Sequence, residues 1–165
     1  MDVRRRILEK TKGDDEEVSY ELDAPKLIVE KTFEAVQKSY EFKVSDYSEL
    51  SKCKWFNIVI DETNATSTPI GNCIAINFDG KYIGQTEITT NKYYSFIIEE
   101  SNGLWNMNYT SRGNIGTTIS NVMRMMNGAI FSKYAPVENL IKIVGSNTNN
   151  YVLADNTTIK IYGFY

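Results

Sequence analysis

The chain contains no histidine among its 165 residues. Histidine is the commonest metal ligand and the commonest general base of enzymes. Its absence excludes a Ser-His-Asp triad, a Cys-His pair and a histidine-ligated zinc site within one copy of the chain. We therefore expect no metal site and no cofactor.

Long hydrophobic runs and a large net charge are also missing. No apolar run approaches the roughly 18 to 20 residues that a membrane span needs, and the first residues lack the apolar segment of a signal peptide. The net charge of -3 gives no field that attracts nucleic acid or an anionic membrane. We expect a soluble protein with no secretion signal, no nucleic-acid partner and no membrane insertion.

Only two cysteines are present. Cys53 and Cys73 both lie in apolar, strand-like stretches, "KCKWFNIVI" and "GNCIAINF". Two buried free thiols are the simpler expectation, because free cysteine behaves as a small buried apolar residue. A disulfide between neighbouring strands is the alternative.

The composition that is present, 42% hydrophobic and 24% charged, is that of one globular domain. Residues 1–22 differ from the rest, since a basic stretch around Arg5 is followed by Gly13 and an acidic run over residues 14–17. Such a segment cannot bury enough apolar surface to fold alone. We predict an extended or partly helical N-terminal docking arm over residues 1–22 and a β-sandwich domain over residues 23–165.

Alternation of apolar and polar residues predicts strands after the arm. In "NTTIKIYGFY", Ile159 and Ile161 alternate with Lys160 and Tyr162, which is typical of a strand with one buried face. The stretch "KLIVEKTFEAVQKSYEFKV" is also compatible with a helical face, but its Thr, Val, Tyr and Phe favour strands.

Two dipeptides predict tight hairpin turns. Asp79-Gly80 and Asn102-Gly103 each separate two alternating apolar runs, and these residue types adopt the positive φ angles of a two-residue turn. The whole chain then contains eight or nine short strands and no convincing long helix. This pattern predicts an all-β antiparallel sandwich or barrel.

Both ends of the chain resemble known proteins. "MDVRRRILEKTKG" is similar to the start of short structural proteins of tailed bacteriophages that infect Gram-positive bacteria. "NTTIKIYGFY", with the preceding "LIKIVGSNTNNYVLADNT", resembles the ending of jelly-roll domains in phage tail, baseplate and head-fibre proteins. The resemblance implies a jelly-roll-like sandwich and a structural role in a virion, which is assembled in the host cytoplasm from several proteins.

The arm supplies the candidate docking residues. Arginine forms bidentate contacts suited to interfaces, and two apolar residues follow the three arginines. The candidate particle-docking residues are Arg4, Arg5, Arg6, Ile7 and Leu8. The alternative is a flexible solubilising terminus. The sandwich is expected to form a homo-oligomer, with a trimer favoured, because closed symmetry covers apolar flanks.

The second predicted hairpin supplies a candidate glycan-binding site. Aromatic rings stack on sugar rings, while amides bind sugar hydroxyls. The residues of these types around the hairpin are Tyr93, Tyr94, Trp105, Asn106, Asn108 and Tyr109. Host cell-wall glycan is the ligand expected there. Core packing or a subunit interface explains any one of the aromatic residues equally well.

Two pairs of acids could suggest glycoside hydrolysis, which uses two facing carboxylates. Asp61-Glu62 and Glu99-Glu100 are adjacent residues, so the members of each pair point to opposite faces of a strand. A solvated rim is the expected role, and we predict that the chain is not an enzyme. Three hypotheses remain: a glycan-contacting virion protein, a purely architectural capsid-decoration or baseplate subunit, and a carbohydrate-active enzyme.

Overall fold

The computed structural model describes residues 24–66, 73–87, 91–115, 118–120, 132–145 and 153–165. These residues form strands and one short 3-10 helix, Ser48–Lys52. The strands are β1 (Lys26–Phe33), β2 (Ser39–Lys43), β3 (Trp55–Asp61), β4 (Cys73–Phe78), β5 (Lys81–Glu87), β6 (Asn91–Ser101), β7 (Leu104–Ile115), β8 (Thr118–Ser120), β9 (Ser132–Lys133), β10 (Leu140–Gly145) and β11 (Thr157–Phe164). The predicted arm, residues 1–22, lies outside the described residues.

The strands form two antiparallel sheets. The larger sheet has the order β1-β11-β3-β6-β7-β8, with β9 paired to β7, and the smaller sheet has the order β2-β10-β4-β5. One cluster of buried side chains contains residues from both sheets. The predicted all-β antiparallel sandwich is therefore confirmed, with two very short strands, β8 and β9, beyond the eight or nine expected.

The core lies between the sheets because alternate residues of each strand face inward. Phe56 on β3 and Trp105 on β7 face Phe78 on β4, with ring centroids 5.1 Å (Phe56 to Phe78) and 5.2 Å (Trp105 to Phe78) apart. Aromatic rings at such separations add to the free energy gained from burial alone. These three rings therefore join the larger sheet to the smaller one.

The strand predicted from "NTTIKIYGFY" is confirmed as β11, an interior strand. It pairs with β1 on one side and β3 on the other. Thr157, Ile159, Ile161 and Gly163 face the core, and the residues between them do not. A Cβ at Gly163 would lie 2.3 Å from Cys53 Sγ and 2.5 Å from Ile28 Cδ1, so only glycine allows this packing.

Both predicted hairpin turns are also confirmed. Asp79 and Gly80 have φ angles of 49° and 77°, and Asn102 and Gly103 have φ angles of 55° and 74°. Positive φ at both central residues gives the twist that two-residue hairpins require. These turns set the registers of β4 with β5 and of β6 with β7.

Asp79 also fixes the start of β10. Its carboxylate accepts hydrogen bonds from the backbone N–H groups of Glu138 (2.7 Å), Asn139 (2.8 Å) and Leu140 (2.8 Å). Burial acts to raise the pKa of Asp79, but the three backbone donors and Lys81 outweigh it and hold the pKa below its usual value. The turn residue of one hairpin thus anchors the neighbouring strand of the same sheet.

Cys53 is a buried free thiol, as the simpler of the two expectations stated. Its Sγ donates to the backbone carbonyl of Glu49 at 3.3 Å. Burial, with a smaller contribution from the charge of Glu49, raises the pKa of the thiol to about 11. The side chain of Cys73 lies outside the described residues.

Candidate interaction surface of the larger sheet

The hairpin of β6 and β7 divides the six candidate glycan-binding residues between two faces of the sheet. Tyr94, Trp105 and Tyr109 point into the core, with exposed fractions of 0%, 2% and 6%. The expected sugar-stacking platform is therefore not formed by these three rings. Their alternation with polar residues put them on one face, and the opposing sheet covers that face.

The side chain of Trp105 makes both polar and apolar contacts inside the core. Its indole nitrogen donates to the backbone carbonyl of Ala135 at 3.1 Å. Its ring lies 4.9 Å from that of Tyr134 and 5.8 Å from that of Phe56, measured between centroids. Both the polar and the apolar parts of this side chain have partners inside the protein.

The other three candidates, Tyr93, Asn106 and Asn108, lie on the outer face of the sheet. Tyr93 is opposite Arg112, whereas Asn106 is opposite Glu99, six residues further along β6. At about 3.3 Å per residue, Tyr93 lies roughly 20 Å from Asn106 and roughly 13 Å from Asn108 along the sheet. These three residues therefore do not converge on one sugar ring.

The residues of the two acidic pairs either accept backbone hydrogen bonds or lie far apart. Glu62 Oε1 accepts a hydrogen bond from the backbone N–H of Ala154 at 3.0 Å and is buried. Glu100 Oε1 accepts one from Gly103 N–H at 3.0 Å, inside the hairpin turn. Asp61 is opposite Tyr93 and Glu99 is opposite Trp55, at the two ends of the β3 and β6 pairing, so the two acids lie about 20 Å apart. Two facing carboxylates need a separation of about 5 to 10 Å.

The outer face carries an apolar cluster that the sequence reasoning missed. Leu27 on β1 is opposite Tyr162 on β11, and Phe164 on β11 is opposite Trp55 on β3. Opposite residues of an antiparallel pair point to the same face, so Leu27, Trp55, Tyr162 and Phe164 form one contiguous surface, the aromatic patch. Leu27 and Phe164 are 41% and 37% exposed, and Trp55 and Tyr162 are half-buried.

The same face is polar where it continues away from the patch. Lys160 Nζ lies 2.9 Å from Glu30 Oε1, and the hydroxyls of Thr158 and Thr32 are 2.9 Å apart. The hydrogen bond to Glu30 is the largest influence that raises the pKa of Lys160. Along β1 and β11, the apolar side chains of the outer face therefore lie at the end of the sheet where β1 begins.

Lysine side chains surround this end of the sheet. Lys26 is opposite Gly163, and the backbone N–H of Lys54 donates to the carbonyl of Phe164 at 3.0 Å. Lys52 ends the 3-10 helix two residues earlier. All three side chains are exposed, and Lys26 Nζ lies 3.2 Å from Glu49 Oε1. Glu99, which is exposed, is opposite Trp55 on β6, so charged side chains of both signs lie near this end of the sheet.

The register of the strands was the signal that could have found the patch. Trp55 and Phe164 each occupy an alternate, outward position in a strand whose inward positions are apolar. A strand with apolar residues on both faces has apolar surface to bury on each side of the sheet. The sequence analysis used only the inward half of that pattern.

The candidate docking residues Arg4, Arg5, Arg6, Ile7 and Leu8 lie outside the described residues. Within the described ranges, no group of three or more metal-ligating side chains is present. In the same ranges, the structure contains no helix with the length and hydropathy of a membrane span. No protein-family model, curated protein or solved structure matches the chain.

Proposed function

We propose that the chain is a structural protein of a tailed-phage virion, with a jelly-roll sandwich that projects from the particle and an arm that docks on it. In this proposal Arg4, Arg5, Arg6, Ile7 and Leu8 contact other virion proteins. The role is architectural, as a capsid-decoration, tail or baseplate subunit. It requires no catalytic residue, cofactor or nucleic acid.

The observation that carries the proposal is the nesting of the strand pairs. Strand β1 pairs with β11, β2 with β10, β3 with β6, and β4 with β5. This nesting is the pattern of one long antiparallel hairpin rolled over itself, and the two resulting groups, β1-β11-β3-β6 and β2-β10-β4-β5, lie in different sheets. A jelly roll is built in this way and is common in viral capsid and lectin domains.

The burial of the hairpin aromatics favours the architectural role over glycan contact. A glycan site there depended on rings exposed together, but Tyr94, Trp105 and Tyr109 belong to the core. Sugar recognition needs a ring face in solvent beside hydrogen-bonding groups. Contact with host glycan is therefore the secondary form of the proposal, supported only by Tyr93, Asn106 and Asn108 on the outer face.

The direct test is to look for the protein in purified particles. Phage particles from the strain that encodes the chain would be banded on a density gradient, labelled with an antibody against the sandwich, and analysed by quantitative mass spectrometry. We expect a fixed copy number per particle and label at one location. Recovery of the protein only in the unassembled fraction would contradict the proposal.

A second experiment separates docking from glycan contact. The full chain, a chain without residues 1–22 and an Arg4→Ser/Arg5→Ser/Arg6→Ser variant would be compared for incorporation into particles, for oligomeric state by mass photometry, and for binding to host cell walls. The architectural role predicts that both variants lose incorporation, keep the oligomeric state of the full chain and bind no wall material. Wall binding by the shortened chain would instead support the glycan-contacting form.

A further inference from the structure

We propose that β1 prevents two copies of the chain from pairing their larger sheets edge to edge, and that Lys31 is the residue chiefly responsible. This inference goes beyond the proposed function, because it concerns which contacts between copies are excluded. The contacts of a homo-oligomer then lie elsewhere on the sandwich.

The free edge of β1 is the feature that needs protection. Within the described residues, β1 pairs with β11 alone and ends the larger sheet. It has eight residues, whereas the other strands that end a sheet, β5, β2 and β8, have seven, five and three. An unpaired edge offers backbone N–H and C=O groups to a strand of another molecule. In the part of the chain that the structure describes, β1 presents the longest such edge.

Lys31 lies on the inner face of the sheet although it carries a charge. It is opposite Ile159, which is fully buried, and opposite residues of an antiparallel pair point to the same face. Its neighbours on that face of β1, Val29 and Phe33, are 1% and 5% exposed, but Lys31 itself is exposed. Because β1 is the last strand of the sheet, the long side chain can carry its ammonium group to water past the free edge.

A strand added to this edge closes the route of Lys31 to water. Side chains of the incoming strand occupy the inner face beside Lys31, about 5 Å away. The ammonium group is then buried without a partner, which is strongly unfavourable. Inward-pointing charges on edge strands are a known means of preventing strand addition.

Each two-fold register centred on the regular part of β1 incurs this cost. A pairing centred on Lys31 sets two lysines opposite each other, and like charges directly opposite destabilise a sheet. A centre one residue earlier or later sets Lys31 opposite Val29 or Phe33 of the second copy, both of which are apolar core residues. No shift of this size supplies an acidic partner.

A backbone irregularity in β1 acts in the same direction. The register of β1 with β11 shifts between Leu27 and Val29, and a β-bulge of this kind bends the strand and increases its twist. A straight incoming strand therefore meets only the part of β1 after the bulge, and Lys31 lies at the middle of that part.

The edge strand of the smaller sheet, β2, is limited by the turn that follows it. The backbone N–H of Val44 donates to Asn139 at 2.8 Å, toward β10, so the carbonyl of Lys43 in the same trans peptide points to the opposite, free side. There it accepts hydrogen bonds from the N–H groups of Asp46 at 3.0 Å and Tyr47 at 3.1 Å. The turn thus uses a carbonyl that an added strand would need.

Sedimentation velocity of the purified full chain over a concentration series tests the role of Lys31. We expect Lys31→Val to add a species of about twice the mass, which grows with concentration and is absent from the unchanged chain. Lys31→Arg keeps the charge and should behave as the unchanged chain. Lys160→Val makes the same change of charge on the outer face of the interior strand β11 and should also add no species.

Two results of this experiment would overturn the proposal. One is that Lys31→Val shows the same species as the unchanged chain at every concentration. The other is that Lys160→Val associates as strongly as Lys31→Val, since the loss of any surface lysine would then be sufficient. Circular dichroism and thermal unfolding show whether each variant keeps the sandwich. If Lys31→Val does not fold, Lys31→Thr, which is also uncharged and favours strands, takes its place with the same expectation.

Hydrogen exchange identifies the surface through which the copies join. Peptides covering residues 26–33 should exchange more slowly at high than at low concentration in Lys31→Val, because an added strand takes up the N–H groups of the free edge. The same peptides of the unchanged chain should show no such difference. Association without added protection of β1 would contradict the proposal. None of these measurements uses phage particles, so their failure leaves the particle-incorporation result intact, and the reverse also holds.

Discussion

The two faces of the larger sheet are built from the same strands but differ in how deeply their side chains are buried. On the inner face, Trp105 has an exposed fraction of 2% and a hydrogen bond to Ala135. On the outer face, Trp55 is half-buried beside Phe164. Both tryptophans lie in alternating strands, so alternation alone does not distinguish them. The difference comes from the smaller sheet, which covers only one face.

The most direct test of the difference between the two faces is to remove one tryptophan from each face. We expect Trp105→Ala to lower the free energy of unfolding by about 3 to 5 kcal/mol, because it leaves a large cavity and an unpaired carbonyl. Trp55→Ala should cost less than about 1 kcal/mol, as is usual for surface substitutions. Urea unfolding followed by circular dichroism measures both values.

Because Trp105→Ala could unfold the protein entirely, Trp105→Phe serves as a milder variant. It keeps an aromatic ring and removes the hydrogen bond to Ala135, so a loss of about 1 to 2 kcal/mol is expected. If Trp55→Ala destabilises the protein as much as Trp105→Ala, the distinction between the two faces is wrong.

Gly163 tests how tightly the inner face is packed. Gly163→Ala should cost about 1 to 3 kcal/mol, because the new methyl group overlaps Cys53 Sγ and Ile28 Cδ1. The same substitution in a Cys53→Ala/Ile28→Val background, where both atoms are absent, should cost much less. Chemical denaturation of the four proteins gives this double-mutant cycle. An equal cost in both backgrounds would show that the overlap is not the cause.

A substitution of Asp79 tests whether the loss of a partly buried polar contact lowers stability as much as a change on the inner face or as little as one on the outer face. Asp79→Asn keeps the turn residue type but removes the charge that accepts three backbone hydrogen bonds. We expect a loss of about 1 to 2 kcal/mol at neutral pH. Asp46→Asn, at an exposed carboxylate that contacts the neighbouring Ser45, is the matched control and should change little.

The pH dependence of the same variant has a definite sign. The pKa of Asp79 is lowered in the folded protein, so its contribution is fully present above the ordinary aspartate pKa and is lost as the pH falls through the lowered value. Asp79→Asn should therefore show a shallower loss of stability below about pH 4 than the unchanged chain. Thermal unfolding across an acid series measures this, and parallel curves would contradict it.

The smallest change in stability is expected for a substitution on the outer face. Lys160→Ala removes the ion pair with Glu30, in which both side chains are exposed. Exposed pairs gain little because water solvates the separated charges equally well. We expect no measurable change in the unfolding midpoint, at low or high salt. A clear, salt-dependent loss would mean that this face is less solvated than the structure indicates.

The fold could be predicted from the sequence more fully than the candidate site could. Positive-φ dipeptides and alternating strands have local causes, so both hairpins and β11 could be predicted from short windows. The candidate site failed at Tyr94, Trp105 and Tyr109 because aromatic residues suit a buried face as well as an exposed one. The aromatic patch was missed because Leu27, Trp55 and Phe164 come from three distant parts of the chain and meet only through strand register.

The sequence by itself determined the all-β class, the two turns and which residues of each strand share a face, because backbone preferences and the two-residue period act over a few neighbours. Only the tertiary structure decided which face is buried, that β11 lies between β1 and β3, and that Gly163 must be glycine. Those outcomes depend on contacts between residues such as Cys53 and Gly163, over one hundred positions apart. Packing, rather than local preference, assigns such contacts.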